Sequence, residues 1–506
     1  MRQAAYYKRR SLPYGTTRAA LAAAVLVALV AGGSPWPAAA QPPAGGAPDI
    51  RLFFEAANPD DDAAEEALEQ IAAAWRDGYA PIVRDMLRLL RPPAPPAPTF
   101  GAPDPTRTEP AFELTLRREH PSTRVWRRLM RFVERQTGQR FGGEVDRLQH
   151  WIWEQPYDPH PDYALFKGEW YAAVDTRFRS FFPRGVTATI RLDEIDWGGV
   201  VVNGIPPLAY PRTLPAAAAE YLDDDHVVFG IAVNGEARAY PKRILAWHEM
   251  ALDRLGGVEL TIVYCTLCGT VIPYESVVDG RHVTIGTSGF LYRSNKLMFD
   301  DETKSLWNTF EGVPVVGPLV GSGLRLRHRS VVTTTWEEWR RLHPETTVLS
   351  LETGHRRDYS EGAAYRDYFG TDRLMFQVPQ IDDRLRNKDE VVVMLLADAA
   401  GTRHPLAIAA GFLSDNRVYQ TEHAGHRLAV ITSARGANRV YAAGAERFAR
   451  LLDDGRVADA AGGVWRVTED ALVAEGDPQR RLARVAAQRA FWFGWYSQFP
   501  ETRLIR

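Results

Sequence analysis

Cysteine is the scarcest residue in this 506-residue chain, present only as Cys265 and Cys268. Two cysteines exclude a small fold framed by disulfides, and a chain of this length has ample material for hydrophobic cores in two or three domains. Long apolar runs are missing after the N-terminal region, so no transmembrane segment is expected in the mature chain. Charge of one sign is missing too. The 61 basic residues balance 63 acidic ones, no basic patch stands out, and no nucleic-acid partner is expected. The chain has no Ser-His-Asp elbow, no phosphate-cradling glycine loop, no His-Glu-x-x-His helix and no haem Cys-x-x-Cys-His. No nucleotide cofactor is therefore expected. An apolar content of 45% with 25% charged residues places the chain among ordinary globular proteins.

The N-terminus reads as an export signal, residues 1–40. Arg2, Lys8, Arg9, Arg10 and Arg18 precede an apolar stretch from Ala19 to Ala31, and Ala38-Ala39-Ala40 resembles a cleavage site. Arg9-Arg10-Ser11-Leu12 resembles a twin-arginine signal, but the basic pair lies well upstream of the apolar stretch, which favours the general secretory route. The expected location is periplasmic or secreted. Residues 41–59, which begin Pro/Gly/Ala-rich, are expected to be a disordered mature N-terminus.

Residues 60–185 read as helical, interrupted by a proline-rich linker at 91–105. Helices are expected over 60–78, from Pro81 to Leu90, and over 122–137, 144–153 and 169–182, each with an apolar face. This region offers a surface for a protein partner. After Pro183 the pattern changes to strands and turns. Val227–Val233, the Asn234-Gly235 turn and Ala237–Tyr240 form a hairpin, followed by a short helix over 241–250. The expected fold is α+β: a helical region and then a strand-rich domain over 186–506. Its later part repeats the earlier one in degenerate form, with halves of about 186–386 and 387–506. Leu428–Ser433 aligns with Leu260–Cys265, and Asp459–Trp465 with Asp301–Trp307, so Ser433 takes the place of Cys265.

Both cysteines lie in Cys265-Thr266-Leu267-Cys268-Gly269, between the β-branched run Leu260–Tyr264 and the strand-like run from Thr270. No helix follows them, whereas a thioredoxin-type pair opens one. A strand–turn–strand setting with a glycine is the shape of a metal knuckle.

These residues also carry a resemblance. Asn234-Gly235-Glu236-Ala237-Arg238-Ala239-Tyr240-Pro241, Ile244-Leu245-Ala246-Trp247-His248-Glu249, the Cys-x-x-Cys-Gly-Thr turn, Ser288-Gly289-Phe290-Leu291-Tyr292, Ser305-Leu306-Trp307 and Ala490-Phe491-Trp492-Phe493 occur in this order. Over roughly 190–506 the chain resembles the domain of unknown function 3179 family, found largely in exported bacterial proteins. The resemblance implies no assigned activity, and whether the protein is an enzyme stays open.

Three chemistries fit the pair. Cys265 and Cys268 with His248 would supply three ligands to zinc or copper, with Met298, Asp300, Asp301, Tyr292 and Arg293 as site neighbours. Alternatively, the pair exchanges thiol and disulfide. In the third case it is a structural disulfide in a non-catalytic binding or scaffold protein, although so short a loop gains little from cross-linking. Arg293 and Lys296 together could hold an anion. His423-Ala424-Gly425-His426 has metal-like spacing but sits in a polar turn.

Overall fold

The computed structural model describes residues 46–90, 121–453 and 455–506. The export signal at 1–40 and the linker at 91–105 lie outside the described residues. Contacts divide the chain into a helical unit, ending at residue 187 and including 191–193, and a strand-rich unit of 188–190 and 194–506. Among the described residues, no helix is long and apolar enough to cross a membrane.

The helical unit contains α1 (Arg51–Glu55), α2 (Asp61–Ala73), α3 (Ala80–Leu90), α4 (Pro121–Thr137), α5 (Val145–Glu154) and α6 (Tyr163–Ala172). Residues 48–57, placed by composition in a disordered terminus, are packed, with Phe53, Ala56 and Ala57 buried. Asp60 caps α2 by accepting from the backbone N–H groups of Asp62 and Ala63. Gly78 does not end α2. It sits in a 3-10 turn, Asp77–Tyr79, where the backbone of Asp158 occupies the space a side chain would need. The helix expected over 169–182 instead starts at Tyr163 and gives way to a 3-10 segment, Thr176–Phe181. At the centre, buried Asp85 accepts from Lys167 Nζ at 2.9 Å, Tyr163 Oη at 2.9 Å and Tyr171 Oη at 3.2 Å. These bonds satisfy a carboxylate that would be costly to bury alone.

The strand-rich unit is built twice from one plan. The first copy runs β1 (Val227–Val233), β2 (Glu236–Pro241), α7 (Lys242–His248), β3 (Met250–Leu255), β4 (Val258–Cys265), β5 (Thr270–Glu275), then β6 (Ile285–Tyr292), β7 (Asn295–Asp300), β8 (Leu306–Asn308), β9 (Val313–Val316), and closes with β10 (Val332–Thr335), α8 (Trp336–Leu342) and β11 (Thr347–Leu349). The second runs β12 (Glu390–Ala397), β13 (Arg403–Ala409), α9 (Ala410–Asp415), β14 (Val418–His423), β15 (His426–Thr432), β16 (Asn438–Ala442), then β17 (Phe448–Leu451), β18 (Val457–Asp459), β19 (Val464–Val467), β20 (Ala471–Ala474), β21 (Arg481–Ala483), and closes with β22 (Gln488–Phe491), α10 (Trp492–Tyr496) and β23 (Arg503–Ile505).

The pairings match as well as the order. The β1–β2 and β12–β13 hairpins are antiparallel. β10 adds antiparallel to β1 as β22 adds to β12, and β11 runs parallel to β2 as β23 runs parallel to β13. The three-stranded meanders β3–β4–β5 and β14–β15–β16 correspond. Two side-chain devices recur. Trp307 Nε1 donates to Asp300 Oδ2 at 3.0 Å, and Trp465 Nε1 to Asp459 Oδ2 at 2.9 Å. Trp339 Nε1 donates to Thr346 Oγ1, and Trp495 Nε1 to Thr502 Oγ1, both at 2.9 Å. Both threonines end a Pro-Glu-Thr stretch, Pro344–Thr346 and Pro500–Thr502. One detail of the sequence alignment shifts by one residue. Asp300, not Asp301, is the counterpart of Asp459. Ser433 keeps the place of Cys265, since the two preceding hairpins share one register (Leu255 with Val258, His423 with His426); the turn that follows is one residue longer, so pairing resumes at Thr432–Asn438 rather than at Cys265–Thr270.

Each copy's closing helix packs on the other copy's β4- or β15-type turn. Gly494 of α10 lies against Cys268, where a side chain would collide with its Cβ, and Phe491 N–H donates to Cys268 O at 2.7 Å. Reciprocally, Glu338 of α8 accepts from Ser433 Oγ at 2.6 Å and lies 3.5 Å from Arg439 Nη1. The aromatic C-terminus therefore belongs to the core, with Trp492, Phe493 and Trp495 buried.

Candidate functional site

The cysteine turn joins two fully paired antiparallel strands, so its geometry is set by the ladder on both sides. Gly269 has φ 62°, and any side chain there would meet the Phe491 ring. The turn brings Cys265 and Cys268 into a disulfide with a Cα–Cα distance of 5.4 Å. Cys265 is 2% exposed and Cys268 fully buried, and Cys268 Sγ lies 4.0 Å from Ser294 O.

The two sulfurs are not equivalent. Cys265 lines a recess of about 60 Å³, whereas Cys268 does not line it. The apolar wall includes Leu267, Phe290, Leu291 and Phe376, with Met375, 53% exposed, at the rim. The polar part is Glu249, Thr266, Thr287, Lys296 and Tyr365. Glu249 follows α7 with φ 54°, a left-handed conformation that reverses the chain at the helix end. This reversal separates it from its neighbour His248. The Glu249 carboxylate contacts Lys296 Nζ at 2.6 Å through Oε2, and Oε1 accepts from Thr266 Oγ1 at 2.7 Å and Tyr365 Oη at 2.8 Å. Lys296 is buried, and desolvation pulls its ammonium pKa below the ordinary lysine value against the opposing pull of Glu249.

The other sequence candidates go elsewhere. His248, expected beside the cysteines, lies 2.9 Å from Pro206 O through Nδ1 and 2.5 Å from Tyr359 Oη through Nε2. Burial lowers its pKa to about 4. Met298 is a core residue paired across the sheet with Thr287 and Trp307. Asp300 caps its own turn, accepting from Thr303 N–H at 2.6 Å, Ser305 N–H at 3.1 Å and Trp307. Asp301 pairs with Lys304 at 2.6 Å. Arg293 binds Glu194 at 2.7 Å and Ser497 O at 2.8 Å, and the Tyr292 carbonyl accepts from Gln498 at 3.1 Å. Lys296, read beside Arg293 as an anion holder, is committed to Glu249. Among the described residues, no group of three or more His, Cys, Asp or Glu side chains is placed to hold a metal. The donors proposed for zinc or copper do not fit either ion as arranged: the sulfurs are bonded to each other and both His248 nitrogens are engaged.

A family described as a protein of unknown function, DUF3179, matches residues 202–502. The chain belongs to the DUF3179 family. No curated protein and no solved structure matches it. The matched DUF3179 span covers both copies of the repeat except the last strand, β23, and the whole recess except its edge at Gly198 and Val200.

Within the DUF3179 domain the second copy serves as an internal control. The recess at its turn, about 290 Å³, is lined by Arg417, Ser433, Arg435 and Leu451 and by Glu337 and Glu338 of α8. Arg417 precedes β14 as Glu249 precedes β3, and Ser433–Gly436 replaces the cysteine turn. That turn closes without a covalent link, through Ser433 Oγ accepting from Ala437 N–H at 3.0 Å. Sequence reasoning missed Glu249 and Tyr365 as site residues. Glu249 stood within the quoted Trp247-His248-Glu249 string, but nothing in the pattern favoured it over His248. Tyr365 is about 100 residues from the cysteines and only folding brings it in.

Proposed function

We propose that the DUF3179 domain is a thiol–disulfide exchange protein in which Cys265 is the sulfur that an incoming thiol attacks. The observation that carries this reading is the asymmetry of the pair: Cys265 faces a recess and Cys268 does not. The uncrosslinked turn of the second copy supports it, since this fold closes the same turn without cysteine. In the first step a thiol, R–SH, loses its proton and attacks Cys265 Sγ. An R–S–Cys265 bond forms, the Cys265–Cys268 bond breaks, and Cys268 leaves as thiolate. A second thiol then attacks the sulfur of R and releases Cys265. The balance is two thiols oxidised to one disulfide and the protein pair reduced to two thiols. This chemistry suits a compartment outside the reducing cytosol, in keeping with an export signal at 1–40.

The test is redox titration of the full chain in dithiothreitol buffers of defined poise, with free thiols counted by alkylation and mass. The expected result is a reversible two-thiol transition above about −300 mV, with Cys268→Ala capturing a small thiol on Cys265 while Cys265→Ala captures none. A disulfide that stays oxidised in excess dithiothreitol without denaturant would leave the pair a structural staple, a reading that the burial of both sulfurs favours.

A further inference from the structure

Burying a lysine and a glutamate beside a disulfide needs a reason. Removing two charges from water costs several kcal/mol per ion, and an apolar pair of similar volume often stabilises a fold as well or better. Glu249 and Lys296 are nonetheless 5% and 3% exposed, in contact at 2.6 Å. Glu249 is also held at φ 54°, a conformation that non-glycine residues rarely adopt and that collects at functional sites.

Its two hydroxyl partners sharpen the point. Thr266 directly follows Cys265, and Tyr365 reaches in from the segment joining the two copies. Hydroxyls rotate and both donate and accept, so they can pass a proton to or from a carboxylate. Glu249, Lys296, Thr266, Tyr365 and Cys265 all line one recess. The titratable groups acting on Glu249 are Lys296 from β7, Tyr365 from the joining segment and Tyr264 from β4.

The second copy separates scaffold from chemistry. It keeps the Trp–Asp bond, the Trp–Thr bond and a left-handed glycine in the turn, Gly436. It lacks both cysteines, and it carries Arg417 where the first copy has Glu249. The carboxylate at this position and the disulfide are absent together, and the carboxylate that meets the second turn, Glu338, comes instead from α8 and accepts from Ser433.

We infer that Glu249 is the proton-transfer group of the exchange reaction, taking the proton of the thiol that attacks Cys265 and giving it to the Cys265 sulfur when that sulfur leaves. This rests on the exchange reading above. In the first half, R–SH and the Glu249 carboxylate become the R–S–Cys265 disulfide, the Cys268 thiolate and the neutral Glu249 acid. In the second half the Cys265 sulfur leaves with the Glu249 proton, and the proton of the second thiol passes to Cys268. Two protons arrive with two thiols and end on two cysteines, and Glu249 is ionised again. Lys296 is a positioning residue. Its ammonium engages Oε2 and so leaves Oε1 facing Thr266 and Tyr365.

The experiment compares two reductants on full-length protein, following thiol release from about pH 5 to about pH 9. Dithiothreitol must lose a proton to attack; a trialkylphosphine carries none. Glu249→Gln is expected to slow reduction by dithiothreitol roughly 100-fold at the acid end, a typical general-base contribution. The deficit closes where dithiothreitol is already ionised. Phosphine reduction stays within about twofold of wild type, since no base is needed. Should Glu249→Gln strand the buried lysine and unfold, Glu249→Gln/Lys296→Met removes both charges and carries the same expectation. Glu249→Asp is expected to restore part of the rate. An unchanged pH profile in the folded variant overturns the role of Glu249, as does equal slowing with both reductants, which signals lost access. Failure of both reductants on wild type overturns the exchange reading instead.

Discussion

Reducing the Cys265–Cys268 bond in place tests whether it is a structural staple without removing an atom from the core. The bond closes a four-residue loop, since the cysteines are three apart in sequence. In the chain-entropy treatment, a loop that short restricts the unfolded chain by about 6 cal/mol/K, or about 2 kcal/mol at 25 °C. Other restraints on the turn survive reduction: the Cys265–Thr270 ladder pairing, the Phe491 N–H bond to Cys268 O, and Gly494 packed on Cys268. The expected cost is therefore about 2 kcal/mol, and for a domain of roughly 300 residues that lowers Tm by about 3 °C. Two urea titrations of the full chain, oxidised and phosphine-reduced, measure it. Midpoints should differ with equal slopes, since reduction exposes no new surface in the folded state. A loss above about 5 kcal/mol, or loss of the folded baseline on reduction, would show that the bond holds more than its own turn. The structural reading would then displace the exchange reading.

Three further expectations follow from the repeat and from buried groups. Trp339→Phe and Trp495→Phe each remove a buried donor from a threonine and leave a small void, so each should cost about 2 to 3 kcal/mol by chemical denaturation; a cost in one copy alone would contradict their equivalence. Burial holds the His248 pKa at about 4 against an ordinary 6.5, so the folded state binds fewer protons between these values. Its contribution is fully present above pH 6.5 and falls by about 3 kcal/mol as pH drops toward 4. His248→Asn should flatten stability against pH in that window, and an unchanged slope would show that the ring is not held neutral. Deleting 488–506 removes β22, which pairs with β12, and the buried Trp492 and Trp495. Thermal unfolding should show the whole strand-rich unit destabilised, and an unaltered transition would exclude the C-terminus from the core.

Sequence patterns carry local information, and the local elements were legible for that reason. Alternating β-branched residues and the Asn234-Gly235 turn specify the first hairpin. The α+β class follows from the same periodicities, and so does the echo between halves, because a duplicated unit keeps its strand lengths and turn spacings. The family resemblance also rests on short strings that need no folding to be read.

The site depended on what folding brought together. A histidine next to a cysteine turn in sequence is a reasonable ligand, but the left-handed residue at Glu249 sends His248 to Pro206 and Tyr359 and turns Glu249 toward Lys296. One backbone dihedral decides which of two adjacent side chains faces the recess, and no hydropathy pattern encodes that choice. Tyr365 reaches the site from about 100 residues away, in the segment joining the two copies, and Gly494 from over 200, through the packing of the second copy's closing helix on the first copy's turn. The sequence by itself determined the elements, their duplication and the presence of one cysteine pair. Only the tertiary structure decided that the pair is a disulfide, that Cys265 alone faces the recess, and that Glu249 and Lys296 are buried beside it, because those facts depend on packing between segments distant in the chain.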